Sequence, residues 1–383
     1  MFKDKPLIIF LEITKACPLV CIHCRANAIT EPLPCELSRF EIYNVLEEIT
    51  RFERPYPLLV ITGGDPVTRL DLFEILEYAK SLEIPTALAP AVSPKLVNED
   101  YLRELKRLNV KALSISLDGA REETHNYVRK VGLETKFNVY ELTLQLFEKL
   151  RNLGLKFQIN TTVMRSNVHE LPEIFKIVLN SGANAWEVFF LIKTGRGAEI
   201  EALSPEENED VVNFLYDCLK YGITVRTVEA PFFRRTILQR RELEKYGENY
   251  VEKLRLGKLY LELKSKLQLI KDKPKVDKVD IKIVPTRDGC GIIFIEACGE
   301  IYPSGFLTYS LGNVRKHSLV KVYREHELLR KIRNLELKGR CGRCRYKNIC
   351  GGSRARAYVE LKDPLDEDPA CIFNPEDNEF SHP

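Results

Sequence analysis

The stretch ACPLVCIHC, residues 16–24, places thiols at Cys17, Cys21 and Cys24 directly after the apolar run LIIFLEIT (7–14). A run of that length, rich in Ile, Leu and Phe, reads as a β-strand, so the thiols fall on a loop at a strand end. Three sulfurs at this spacing can converge on one point as soft donors suited to zinc or to an iron–sulfur cluster. Either group offers four corners, and three protein ligands leave the fourth open for a second reactant.

Outward from this loop, short apolar runs alternate with helix-period segments. SRFEIYNVLEEIT (38–50) reads as a helix with Ile42, Val45, Leu46 and Ile49 on one face. PLLVIT (57–62) reads as a second strand, followed by a helix opening near Asp71, a good N-cap type. PTALAP, KALSISLD, LKFQINTTV and AWEVFFLI supply four more strands, each separated by a helical pattern. Six βα units predict an α/β fold, a partial (β/α)6 barrel with helices outside, over residues 1–200. Residues 201–280 read as a charge-rich helical bridge whose alternating charges are solvated faces. Residues 281–383 read as a small Cys- and Gly-rich domain with six of the eleven Cys.

The polar motifs fall just beyond strand ends. TGGDP (62–66) follows the second strand, SLDG (116–119) the fourth and TGRG (194–197) the sixth. In α/β sheets and barrels that edge is where chemistry is built.

Composition narrows the function classes. At 383 residues and 44% hydrophobic, the chain can bury a sizeable core, as a globular enzyme does. Lys and Arg number 58 against 55 Asp and Glu, a net +3, which implies no strong pull toward nucleic acid or anionic membrane. No apolar run approaches the roughly 20 residues of a membrane span, and MFKDKP lacks the hydrophobic region of a signal peptide. A cytoplasmic location is therefore expected, with the eleven Cys serving as metal ligands or buried thiols rather than disulfides. Four Gln and two Met beside abundant Lys and Glu resemble a thermophile's usage.

With these motifs together, the sequence resembles the radical S-adenosylmethionine (SAM) superfamily. The resemblance implies that Cys17, Cys21 and Cys24 hold three irons of a [4Fe–4S] cluster whose fourth iron binds SAM. Gly63, Gly64 and Asp65 match the family's GGE-type motif, which holds the methionine amino group. Ser116 and Asp118 match positions that contact the SAM carboxylate or ribose, and Asn160 in QINTT matches a ribose contact. His23 occupies the aromatic slot near adenine, and Arg129 in NYVRKVG falls where it can meet the SAM carboxylate.

In the tail, Cys341, Cys344, Cys350 and Cys371 make a closed four-thiol set that spacing alone assigns equally to structural zinc or to a cluster. Beside a radical SAM barrel it resembles the SPASM extension, which implies an auxiliary [4Fe–4S] cluster. The inner-cluster positions depart from that pattern. Gly299-EIYP ends in Ser304, and the later ligand falls at Ser353 or Arg354, so one auxiliary cluster is expected, not two. Cys290 and Cys298 lie nearby and leave a contribution to a second cluster open. Cys35 and Cys218 read as ordinary core or surface residues.

YPSGFL (302–307), LGNVR (311–315), GRCGRCRYKNICGGSRARAY (339–358) and FFLIKTGRG (189–197) resemble one branch of SPASM proteins. That branch lies close to the enzymes that tailor tetrapyrroles, including the haem-forming decarboxylases. Arg196, Arg234, Arg235, Arg354 and Arg356 are the cations expected to hold propionates of such a substrate. The implied partners are a tetrapyrrole or peptide substrate and an electron donor such as ferredoxin or flavodoxin. A SPASM-type peptide maturase and, in another class, a non-catalytic zinc- or cluster-binding protein are the alternatives.

Overall fold

The computed structural model describes residues 2–132, 137–271 and 274–376. Six strands form where apolar runs were read: β1 (Ile8–Glu12), β2 (Leu58–Thr62), β3 (Thr86–Leu88), β4 (Leu113–Ser116), β5 (Phe157–Val163) and β6 (Ala185–Phe190). They lie side by side in chain order, every neighbouring pair parallel. Helices fill the intervals, as right-handed βαβ crossovers require.

The first helix, Arg39–Thr50, begins with a capping box: Ser38 Oγ accepts from Glu41 N–H, and the Glu41 carboxylate accepts from Ser38 N–H. Its buried face is Ile42, Val45, Leu46 and Ile49. The second helix, Leu72–Ser81, lacks a side-chain cap, because Asp71 instead takes a bidentate pair from Arg69 at 2.8 Å. That pairing frees Arg69 Nη1 to bond the carbonyls of Ile13 and Leu37, which tie down both ends of the loop carrying the first three thiols.

The sheet extends beyond residue 200 on both edges. A seventh strand, β7 (Thr224–Val228), lies within the stretch read as a helical bridge and pairs parallel to β6. TVRTV carries a charge and stays half-exposed, so it lacks the apolar signature of a central strand. On the opposite edge, β8 (Ile292–Ile295) from the tail pairs parallel to β1, followed by antiparallel β9 (Glu300–Tyr302) and β10 (Gly312–Asn313). The cysteine-rich tail is therefore continuous with the sheet of the barrel.

Strand pleating sorts side chains onto two faces. Along β5, Phe157, Ile159, Thr161 and Val163 are buried, while Gln158, Asn160 and Thr162 alternate with them. On β4, Leu113 and Ile115 are buried against the helices and Ser114 and Ser116 take the other face. No helix among the described residues is long and apolar enough to cross a membrane.

Candidate active site

The cysteine loop is pinned on three sides. Val20 and Ile22 N–H groups bond the carbonyls of Lys130 and Val128 at 2.6 and 3.1 Å, so residues 18–22 run against the segment after β4. From the second strand end, Gly64 N–H donates to Thr14 and Asp65 N–H to Ala16, both at 2.7 Å. From the sixth, Arg196 grips the loop: its N–H donates to Cys24 O, Nε to Cys21 O and Nη1 to Ala28 O. Gly195 beside it has φ +56°, and a Cβ there would stand 2.3 Å from Cys24 O. Arg196 is therefore a clamp on the thiol loop, with Nη2 buried and without a partner among the described residues, and it lines neither the cavity beside that loop nor the one adjoining it, a correction to its reading from sequence as a substrate cation.

Gly63 and Gly64 are explained by the same contact. A Cβ on Gly64 would lie 2.4 Å from Lys15 O and 2.5 Å from Ala16 O, both backbone atoms that cannot swing away. Gly64→Ala is expected to cost about 1–3 kcal/mol by overpacking and to lower iron retained at the first thiol site. Anaerobic urea denaturation and iron assay check it. A variant within 0.5 kcal/mol of the parent, with full iron, would show that close packing is not why glycine stands there.

Each of the three sulfurs faces one N–H donor. Leu19 N–H points at Cys17 Sγ (3.4 Å), Ala28 N–H at Cys24 Sγ (3.5 Å) and Arg129 Nη1 at Cys21 Sγ (3.9 Å). Such donors favour thiolate over thiol, whereas burial pushes the Cys17 and Cys21 thiols up. Buried sulfurs with thiolate-directed donors suit metal ligation, because a bound cation removes the proton outright.

Cys17, Cys21, Cys24, His23, Gly63, Gly64, Ser116, Arg129 and Asn160 all line one cavity of about 200 Å³. Thr62, Ser114, Thr162, Phe189 and Phe306 are among the other residues of its wall. Ser114 and Thr162 were legible in principle, two residues from Ser116 and Asn160 on the same strand faces. Phe306 comes from the tail, and nothing in its local sequence announces it.

Two expected contacts lie behind the wall instead. Asp65 is buried; its Oδ1 accepts from Val67 and Ala91 N–H, and Oδ2 has no partner. Burial pushes its carboxyl up to about 7. Asp118 is fully buried, bonding Arg129 Nε at 2.5 Å and Thr162 N–H at 2.6 Å. Burial raises its pKa, but the Arg129 guanidinium and the nearby His23 more than offset this and hold it below its ordinary value. Arg129 thus joins Asp118 to Cys21. His23, 3.9 Å from Asp118, is lowered to about 4 by burial and then by the Arg129 charge, so its ring is neutral at pH 7.

The tail gathers Cys341, Cys344, Cys350 and Cys371 around one narrow cavity. Backbone donors again face sulfur: Asp368 N–H to Cys341 (3.4 Å), Tyr346 N–H to Cys344 (3.4 Å) and Gly352 N–H to Cys350 (3.5 Å). Four thiols lining one cavity form a donor set that suits either a zinc ion or an iron–sulfur cluster.

The remaining cysteines divide differently from expectation. Cys218 is buried on the helix Pro205–Leu219. Cys35 and Cys298, 263 residues apart, form a disulfide, which corrects both the reading of Cys35 as an ordinary residue and the expectation of no disulfides. Cys298 is thereby engaged away from any cluster. At the two positions lacking thiols, serines act as caps: Ser304 Oγ accepts from Leu307 N–H, and Ser353 Oγ accepts from Arg356 N–H and donates to Glu229.

The other arginines expected to meet propionates are also engaged within the protein. Arg235 pairs with Glu209 and Arg356 with Asp368, while Arg234 and Arg354 bond mainly backbone carbonyls. Arg356 does line a second cavity of about 210 Å³, together with Lys193 and with Leu191, which also lines the first.

Residues 11–178 match the Radical SAM superfamily. The chain is 33% identical to the AdoMet-dependent heme synthase of Oleidesulfovibrio alaskensis, over 96% of this chain and 87% of the relative. It is likewise 33% identical to the protein of that name from Methanosarcina barkeri, over 97% and 98%. In fold it is similar to Streptococcus suis SuiB bound to the precursor peptide SuiA, with TM-score 0.68 and 15% identity over 97% of this chain and 76% of that one.

Proposed function

This chain belongs to the radical SAM superfamily, and from that premise we propose that it oxidises a tetrapyrrole side chain, beginning with hydrogen abstraction from a propionate carbon. The observation that carries the chemistry is the single cavity into which three thiols and the ends of β2, β4 and β5 open. Near-full-length similarity to two proteins named AdoMet-dependent heme synthase supports the substrate class.

Cys17, Cys21 and Cys24 would hold three irons of a [4Fe–4S] cluster, and the N–H donors of Leu19 and Ala28 with the Arg129 guanidinium would stabilise their thiolates. A cluster held there would supply the single electron needed to split the SAM sulfonium reductively, the chemistry that leads to hydrogen-atom abstraction from the substrate. Gly63 and Gly64 present bare backbone to the methionine end of SAM, while Ser116 and Asn160 offer hydroxyl and amide groups to its polar atoms. Neutral His23 supplies a ring near adenine. Phe189, Phe190, Leu191, Ile192 and Phe306 form an apolar wall that excludes water from a reactive carbon radical.

Residues 281–376 would add one auxiliary cluster on Cys341, Cys344, Cys350 and Cys371, with Ser304 and Ser353 standing where a second would need thiols. Lys193 and Arg356, in the adjoining cavity, are the cations best placed for a propionate. An external one-electron donor of the ferredoxin or flavodoxin type would supply the electron that splits SAM, and the electron left on the substrate as carbon dioxide departs would pass to an acceptor such as the auxiliary cluster.

The test is anaerobic 5′-deoxyadenosine production by the reduced protein. Formation that rises several-fold with iron coproporphyrin, with release of carbon dioxide, is the expected result. Formation stimulated by peptides and indifferent to the porphyrin would replace this substrate with a peptide.

A further inference from the structure

Around the tail thiols the chain buries three guanidinium groups, Arg234, Arg287 and Arg354, none of which forms an ion pair with a carboxylate among the described residues. Arg354, fully buried, donates Nε to Gly352 O and Nη1 to the carbonyls of Pro364 and Asp366, and aims Nη2 at Cys341 Sγ, 3.6 Å away. Arg287, 7% exposed, donates to the carbonyls of Lys347 and Asn348, and its Nε has no partner. Arg234 donates to Ile349 O at 3.1 Å and to Thr286 Oγ1 at 3.3 Å. Every one of these acceptors is neutral or a sulfur, and together they wrap the segment 347–352 that carries Cys350.

The glycines of that segment record how closely the cations approach. Gly351 and Gly352 have φ of +73° and +65°. A Cβ on Gly351 would stand 2.5 Å from Arg287 Nη1; on Gly352 it would stand 2.4 Å from Arg354 Nη2 and 2.9 Å from Cys341 Sγ. Nearby carboxylates are engaged elsewhere. Asp288 accepts from the N–H groups of Arg354 and Ala355, Glu229 accepts from Ser353 Oγ, Asp368 pairs with Arg356, Glu367 with Arg340 and Glu209 with Arg235.

The first thiol site is arranged otherwise. Its Arg129 is paired with Asp118 and its Arg25 with Glu12, which leaves Arg196 as the cation held by carbonyls alone. Three buried guanidinium groups without carboxylates call for an anion between them. Four thiolates around a [4Fe–4S]²⁺ cluster carry a net charge of about −2, which one added electron raises to about −3. Cations fixed beside such a site favour the more negative state.

We propose that Arg234, Arg287 and Arg354 are positioning residues that hold the charge of the tail site and make it the more readily reduced of the two thiol sites. The proposal rests on the reading that the tail thiols bind an iron–sulfur cluster. The redox step involved is one electron entering that cluster from a chemical reductant, dithionite, with no bond made or broken.

A potentiometric titration of the full chain, followed by electron paramagnetic resonance, tests it. Replacing Cys17, Cys21 and Cys24 by alanine isolates the tail signal, and the parent protein gives the order of reduction. The tail cluster is expected to be reduced first. In the isolating background, Arg287→Gln is expected to raise the oxidised-to-reduced ratio at fixed potential about tenfold, which is about 59 mV for one electron, with iron unchanged. Arg287→Lys should restore most of the parent value. Arg234→Gln, which gives up only two contacts to neutral groups, carries the same expectation and serves where Arg287→Gln loads iron poorly. Unchanged ratios in variants that retain iron would overturn the proposal and leave the cluster reading standing. Zinc, or no metal, at the tail of the parent protein would remove that reading and the proposal with it.

Discussion

Replacing Cys17, Cys21 and Cys24 together by alanine is expected to abolish SAM cleavage and to lower the iron of a fully reconstituted sample from about eight to about four per chain. The three sulfurs line the cavity with the strand-end residues, each has its own N–H donor, and no other thiol lines that wall. The fold should survive, because the loop is held by backbone bonds from Gly64, Asp65 and Arg196 that the substitution leaves in place. Cys218→Ala is the control: a buried helix thiol remote from both sets, whose loss should leave iron unaltered. Iron assay, circular dichroism and chromatography of 5′-deoxyadenosine decide it. Retention of eight irons by the triple variant would mean that the loop is not a ligand set.

The second large effect is expected at Asp118, where sequence resemblance suggested a SAM contact and the structure shows a support. Asp118→Ala leaves the Arg129 guanidinium buried without its carboxylate and strips Thr162 N–H of its acceptor. Breaking a buried pair in this way costs about 3–5 kcal/mol. Asp118→Asn keeps acceptors but removes the charge and should fall between. Anaerobic urea denaturation measures both. Because Arg129 also faces Cys21, the alanine variant should lose iron from the first site as well. A destabilisation below 1 kcal/mol, with unchanged SAM affinity, would mean that Arg129 finds solvent or another partner. Full stability combined with weakened SAM binding would restore the direct-contact reading.

The contrast at Asp118 illustrates what the sequence could reveal. Six strands were legible because LIIFLEIT and PLLVIT are strand-length apolar runs and FQINTTV alternates with period two, each set apart from its neighbours by a helical pattern. β7 was not, since TVRTV exposes Thr224 and Arg226 and lies among helices. The pairing of β8 with β1 was also hidden: IIFI announces a strand, but which strand it joins depends on contacts nearly 300 residues apart. Thiols and strand-end glycines could be assigned to a site because few other roles concentrate those residue types at that spacing. Arginines could not, because a guanidinium serves substrate, carboxylate or carbonyl equally well. Arg196 and Arg354 show their roles only once the carbonyls they grip are in place. The Cys35–Cys298 bond joins a loop to a distant turn, beyond any local pattern.

The central claim is that the first thiol set leaves one iron without a protein donor, at the cavity formed by the strand ends. The most direct measurement is the electron paramagnetic resonance spectrum of the reduced, anaerobic protein before and after addition of SAM. The account predicts that SAM shifts the signal of the Cys17, Cys21 and Cys24 cluster and leaves that of the tail unaltered. An identical spectrum with and without SAM, in a sample loaded with about eight irons per chain, would contradict it.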